Sequence, residues 1–160
     1  MNIRFKKERN KAAILSCVRD DGSVSWTKLH PNIEIHDLAH YVVETELGFQ
    51  KAFYGLVNSG FDIQDFELAI EDRPNELLPK NLPVEALQTE HLVNLIQVHF
   101  QNNIAPDEFV SMLEAILSDA GLPMIKGLTA LKVQGLIEKI HVLYQDWTQL
   151  ADNESLELYF

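Results

Sequence analysis

The chain has 160 residues, 46% hydrophobic and 23% charged, values typical of one globular domain with one core. Its net charge of −11 disfavours nucleic acid as the main partner, because an acidic surface repels the phosphate backbone. No run approaches the ~20 apolar residues that cross a membrane, no signal peptide is recognisable, and Cys17 is the single cysteine, so we expect a reducing cytoplasm.

The first thirty residues predict antiparallel strands. Residues 2–7 alternate apolar and basic side chains, and "AAILSCVRDDGSVSWTKL" contains two β-rich runs around Asp21-Gly22, a strong hairpin signal. Folding the strands about that turn places Cys17 opposite Trp26. The side chains then expected on the buried face are Leu15, Cys17, Val24 and Trp26.

From residue 35 onward the sequence predicts helices. A surface loop over 61–82, which carries acids and two prolines, separates the second helix from the third. Gly55, inside the second helix, destabilises it unless a neighbouring backbone packs closely there. The C-terminal "SLELYF" alternates like a strand, which makes it a candidate to join the hairpin sheet. The predicted helices are residues 35–47, 50–59, 83–102, 106–121 and 128–151.

These elements predict an α+β fold in which a small N-terminal antiparallel sheet packs on a layer of about five helices. The whole chain, residues 1–160, is expected to form a single domain. Within it, residues 1–30 form the hairpin or meander, residues 35–151 the helical part, and residues 155–160 the candidate strand.

The segment "IHDLAHYVVETEL" carries three metal-capable side chains, His36, His40 and Glu44, spaced four residues apart. Successive residues on a helix rotate by ~100°, so the three form one slanted column beside the core-facing stripe. Paired histidines with this spacing bind zinc in HExxH helices. The column therefore predicts a site for a divalent metal ion such as Zn²⁺.

Asp37 occupies the position of the glutamate in HExxH. Its shorter side chain would hold a general base further from a metal-bound water, which disfavours a peptidase. Asp37 remains a candidate base, or a group that orients a ligand. Without a metal, the two histidines would line the core boundary, and a Glu44–His40 contact would contribute ~0.2–0.5 kcal/mol.

Residues of the predicted third helix could complete the site: Glu90, His91 and His99. His99 falls among apolar residues and should face inward, where a core histidine with one hydrogen bond is the more common situation. His91 and His99 are therefore weaker candidates for metal ligands than His36 and His40.

One resemblance involves "DDGSVSW" and "HDLAHYVVETELGFQKAFYGLVNSGFDIQDFE". Together they resemble a set of small uncharacterised bacterial proteins. These share the hairpin and a His-Asp-x-x-His-x-x-x-Glu helix, followed by a Phe-Tyr/Phe-Gly-Leu segment. The resemblance covers roughly the first half of the chain. It implies the fold and no established activity.

Two functions follow as hypotheses. The first is a metal-binding protein, with a metal-dependent hydrolase as its enzymatic form, acting on an unidentified small molecule. The second is a non-enzymatic interaction module without metal, whose sheet edge or helical layer binds another protein or a second copy in a homo-oligomer.

Overall fold

The computed structural model describes residues 1–30 and 34–160. The strands are β1 (Asn2–Lys6), β2 (Ile14–Val18), β3 (Val24–Lys28) and β4 (Ser155–Tyr159). The helices are α1 (Glu34–Leu47), α2 (Phe53–Asn58), α3 (Val84–Asn102), α4 (Pro106–Asp119) and α5 (Ala130–Gln149). Two short 3-10 helices, Ile63–Phe66 and Asn75–Leu77, lie in the long connection between α2 and α3. This architecture confirms the predicted α+β fold.

The four strands form one antiparallel sheet in the order β3-β2-β1-β4. The C-terminal strand joins it as expected, because β4 pairs along β1 with Ile3 opposite Leu158. One face of the sheet is apolar, and its side chains Ile3, Phe5, Leu15 and Cys17 are buried. The alternation within each strand therefore gives the sheet a single core-facing side.

The predicted hairpin register is wrong by one residue. Cys17 lies opposite Ser25 rather than Trp26. The Arg19 amide donates to the Ser23 carbonyl at 2.9 Å, so the loop contains three residues rather than two. Gly22 takes a positive φ of 83° at the last loop position, which is typical of a three-residue turn with a bulge.

This shift turns every β3 side chain to the opposite face. Val24 and Trp26, predicted to be buried, face outward and are 55% and 46% exposed. Ser25 faces the interior instead, where its hydroxyl accepts a hydrogen bond from the Ile63 amide at 2.7 Å. The prediction for Leu15 and Cys17 holds, since both are buried.

Helix α1 lies between two apolar clusters. Leu38 packs into the cluster beneath the sheet. Ala39, Val42 and Val43 pack into the second cluster, with α3, α4 and α5. The polar residues of α1 consequently emerge where the sheet core meets the helical core. In the part of the chain that the structure describes, no helix is long and apolar enough to cross a membrane.

Candidate metal centre

His36 and His40 stand one turn apart on α1, with ring centroids 4.7 Å apart. Because α3 packs against α1, it brings Glu90 to both imidazoles. The Nε2 atoms of His36 and His40 lie 3.7 and 3.4 Å from the two carboxylate oxygens of Glu90. One potential ligand atom from each of the three residues lies within 4.8 Å of the other two. This group could hold a metal ion.

The opposite nitrogen of each ring faces a different carboxylate. His36 Nδ1 lies 3.6 Å from Asp37 Oδ1, and His40 Nδ1 lies 3.4 Å from Glu44 Oε1. Both Nδ1 atoms are buried, and neither contact has hydrogen-bond geometry, so these are charge contacts. Metal-binding histidines commonly direct one ring nitrogen at a carboxylate and the other at the ion.

Glu44, the predicted third ligand, is fully buried and has a clear structural role. Its two oxygens accept hydrogen bonds from the amides of Tyr54 at 3.2 Å and Gly55 at 3.1 Å. Those amides belong to the first turn of α2, where Ala52 at the N-cap position contributes no capping side chain. Glu44 therefore supplies the hydrogen-bond acceptor for the free backbone amides at the N-terminus of α2.

Gly55 makes this junction possible. A Cβ at Gly55 would overlap the carbonyl oxygen of Gln50, so the backbone passes here at a distance that only glycine allows. The sequence predicted that a glycine inside this helix needs a neighbouring backbone packed closely against it, and the Gln50 backbone is that neighbour. This close approach also aligns the Gly55 amide with the buried Glu44 carboxylate.

The carboxylates change the protonation of the two histidines. Burial disfavours the charged form of His40, but Glu44 and Glu90 outweigh it and raise the pKa of His40 to about 9. Burial also opposes protonation of His36, and Asp37 and Glu90 raise the pKa of His36 above its usual value. The two imidazoles hold the pKa of Glu90 well below its usual range. In the absence of a metal ion, a proton on His40 therefore balances its carboxylates.

A pocket of about 390 Å³ opens beside this group. His36, Asp37, His40 and Glu90 form its polar side, and Arg73 contributes a guanidinium. The remaining walls are apolar and consist of Phe53, Leu56, Phe66, Leu82, Ala86 and Leu87. A volume of this size suits a small molecule.

The two weaker histidine candidates lie outside the group that the described residues form. His99 Nδ1 lies 3.0 Å from the Ile104 carbonyl oxygen, and its ring packs against Phe100 and Phe109. That is the environment expected of a core histidine. His91 follows Glu90 on α3 and is half-buried, apart from the two imidazoles of α1.

Comparison of the chain with protein-family models, with curated proteins and with solved structures gives no match.

Proposed function

We propose that the protein binds one divalent transition-metal ion through His36, His40 and Glu90. The observation that carries this proposal is the convergence of two imidazole nitrogens and one carboxylate, from two packed helices, beside a pocket. Two nitrogens and one oxygen suit Zn²⁺, and also Fe²⁺ in sites with open positions. The donor set defines the class of metal, and zinc remains our first choice.

The Glu90 oxygens lie 3.7 and 3.4 Å from the two imidazole nitrogens, distances that one bound ion can already span. Metal–ligand bonds of about 2.0–2.2 Å hold two donor atoms no more than about 4.4 Å apart. Glu90 is 52% exposed and can rotate toward the ion. Glu44 has no such freedom, since both its oxygens accept backbone amides. For this reason we propose Glu90, and not Glu44, as the third ligand.

Three protein ligands leave a position open for water in a four-coordinate zinc site. Zinc held by His36, His40 and Glu90 would lower the pKa of such a water to about 7, which would supply hydroxide chemistry at neutral pH. The contact between Asp37 Oδ1 and His36 Nδ1 supports a positioning role for Asp37 rather than the role of general base. We propose metal-dependent hydrolysis as the reaction that this arrangement supports best.

Metal titration of untagged, metal-free protein tests the site. Zn²⁺ and Co²⁺ are each expected to bind with one equivalent in calorimetry, and the Co²⁺ absorption spectrum reports the coordination number. The variants H36A, H40A and E90Q should each lose more affinity than the about 10–100-fold that accompanies loss of an outer partner.

The matched control is H91A, which removes a histidine adjacent to Glu90 that lies outside the group. Its affinity should equal that of the wild type. Binding of less than about a tenth of an equivalent to the wild type would refute the proposal. An equal loss in H91A would show that the metal binds elsewhere.

A second candidate function is a protein-binding module, and one observation favours it. Val18, Val24 and Trp26 are apolar and exposed on the outer face of the sheet, next to the β3 edge. The variant W26S separates the two functions, because it should leave metal binding unchanged and abolish only an interaction made by this face. Sedimentation of the wild type and W26S measures self-association directly.

A further inference from the structure

Arg73 differs from the other three arginines of the chain. Each of those three lies within 4 Å of a carboxylate: Arg4 beside Glu157, Arg9 beside Asp152 and Arg19 beside Asp62. Among the described residues, no carboxylate lies that close to Arg73, although the chain has 24 acidic residues. An unpaired guanidinium in so acidic a protein needs another explanation.

The guanidinium is also only partly hydrogen-bonded. Arg73 Nη2 donates to the carbonyl oxygens of Phe66 at 2.7 Å and Leu68 at 3.0 Å, which holds the side chain in the wall of the pocket. Arg73 Nε is buried and has no hydrogen-bond partner among the described residues. Arg73 Nη1 also has no hydrogen bond to another described residue, so its N–H groups remain for a ligand that accepts from the guanidinium.

The rest of the pocket limits what that ligand can be. Phe53 and Phe66 form aromatic walls with ring centroids 5.1 Å apart, and Leu82, Ala86 and Leu87 line the α3 side. These walls favour an apolar body. Because Nη2 is committed to two backbone carbonyls, the guanidinium can offer a carboxylate a charge-assisted hydrogen bond from Nη1.

We infer that the pocket binds a small carboxylic acid with an apolar body, whose carboxylate pairs with Arg73 while its body contacts Phe53 and Phe66. The inference names the ligand class of the metal centre and rests on the proposed function for the role of the ion. The contact with Arg73 itself does not require a metal, so the two proposals can fail separately.

A matched pair of probes tests this inference on metal-free protein: 4-phenylbutyrate and its neutral amide, 4-phenylbutyramide. NMR titration should show the acid binding at least about 10-fold more tightly than the amide, as a charged hydrogen-bonded pair predicts. Shifts of the Phe53, Phe66 and Ala86 amide signals should report the pocket. Equal affinities, or no saturable binding of the acid, would overturn the inference.

The variant R73Q should remove the preference for the acid, and R73K should retain part of it because lysine keeps the charge but not the fixed direction of the guanidinium donors. R9Q is the matched control, since it removes one exposed arginine far along the chain, and it should bind like the wild type. If R73Q does not fold, the comparison of acid and amide on the wild type still decides. An unchanged preference in folded R73Q would refute the role of Arg73.

The outcome for the metal is read separately. If H40A binds no metal but still prefers the acid to the amide, the charge contact of the ligand does not depend on the metal site. Metal binding at one equivalent, together with equal affinities for acid and amide, would leave the proposed metal site standing and overturn the ligand class.

Discussion

Glu44 and Glu90 are two carboxylates on opposite sides of His40, and they differ in almost every other respect. Glu44 is 0% exposed and accepts two backbone amides, whereas Glu90 is 52% exposed and contacts the two imidazoles and the side-chain amide of Asn94. The same chemical group thus holds the fold together on one side and is free to bind an ion on the other. Backbone partners and burial, rather than residue type, separate the two roles.

The sharpest test of this difference compares E44A with E90A. E44A should lower the free energy of unfolding by about 3–5 kcal/mol, because it leaves two buried amides without an acceptor and removes the buried carboxylate beside the His40 ring. E90A should cost no more than about 1 kcal/mol, because half of its side chain is already in water. Urea unfolding of the metal-free variants measures both values.

Metal titration of the same two variants completes the comparison. E90A should bind no metal while remaining folded. E44A, where it folds, should retain binding with weakened affinity, because the ligand atoms remain but His40 loses a partner. A folded E44A that binds no metal, beside an E90A that binds normally, would reverse our assignment of the third ligand.

Sequence periodicity could predict the α1 side of this site but not the α3 side. His36, His40 and Glu44 lie within nine residues, so helical geometry alone places them in one column. The contact of Glu90 with that column depends on how α3 packs against α1, some 50 residues further along the chain. The spacing of polar residues in a single helix carries no information about that packing. For the same reason it could not show that Glu44 accepts amides of α2.

The hairpin error had a more local cause. "RDDGS" fits a two-residue turn over Asp21-Gly22 and also a three-residue loop that ends at Gly22. The strand pattern favoured the two-residue turn, because that register buries the apolar Val24 and Trp26 and exposes the polar Ser25 and Thr27. The structure buries Ser25 by giving its hydroxyl a partner, the Ile63 amide.

The next prediction concerns Gly55, whose amide donates to Glu44. G55A should lower the free energy of unfolding by about 1–3 kcal/mol, because the new methyl overlaps the Gln50 carbonyl and pushes α2 away from Glu44. Thermal unfolding measures the loss. G135A in α5 is the matched control: its Cβ meets no atom within 4 Å, so this variant should gain roughly 0.5–1 kcal/mol.

The last prediction is a pH dependence that involves both carboxylates. Because Glu44 and Glu90 raise the pKa of His40 to about 9, the metal-free folded protein binds a proton that the unfolded chain, with a histidine pKa of about 6.5, does not hold. The stabilisation is therefore complete below pH 6.5 and is lost as the pH rises through 9. His36, on the same helix, contributes in the same direction because its pKa is also raised.

We therefore expect the metal-free protein to lose unfolding free energy as the pH rises from 6.5 to 9. Urea unfolding in the presence of EDTA measures this loss. H40Q cannot take up the proton and should show a smaller loss, which separates the site from the general repulsion of an acidic chain at high pH. Bound metal requires neutral imidazoles, so its affinity should rise over the same pH range. A flat stability profile in the wild type would mean that the carboxylates do not hold His40 in its charged form.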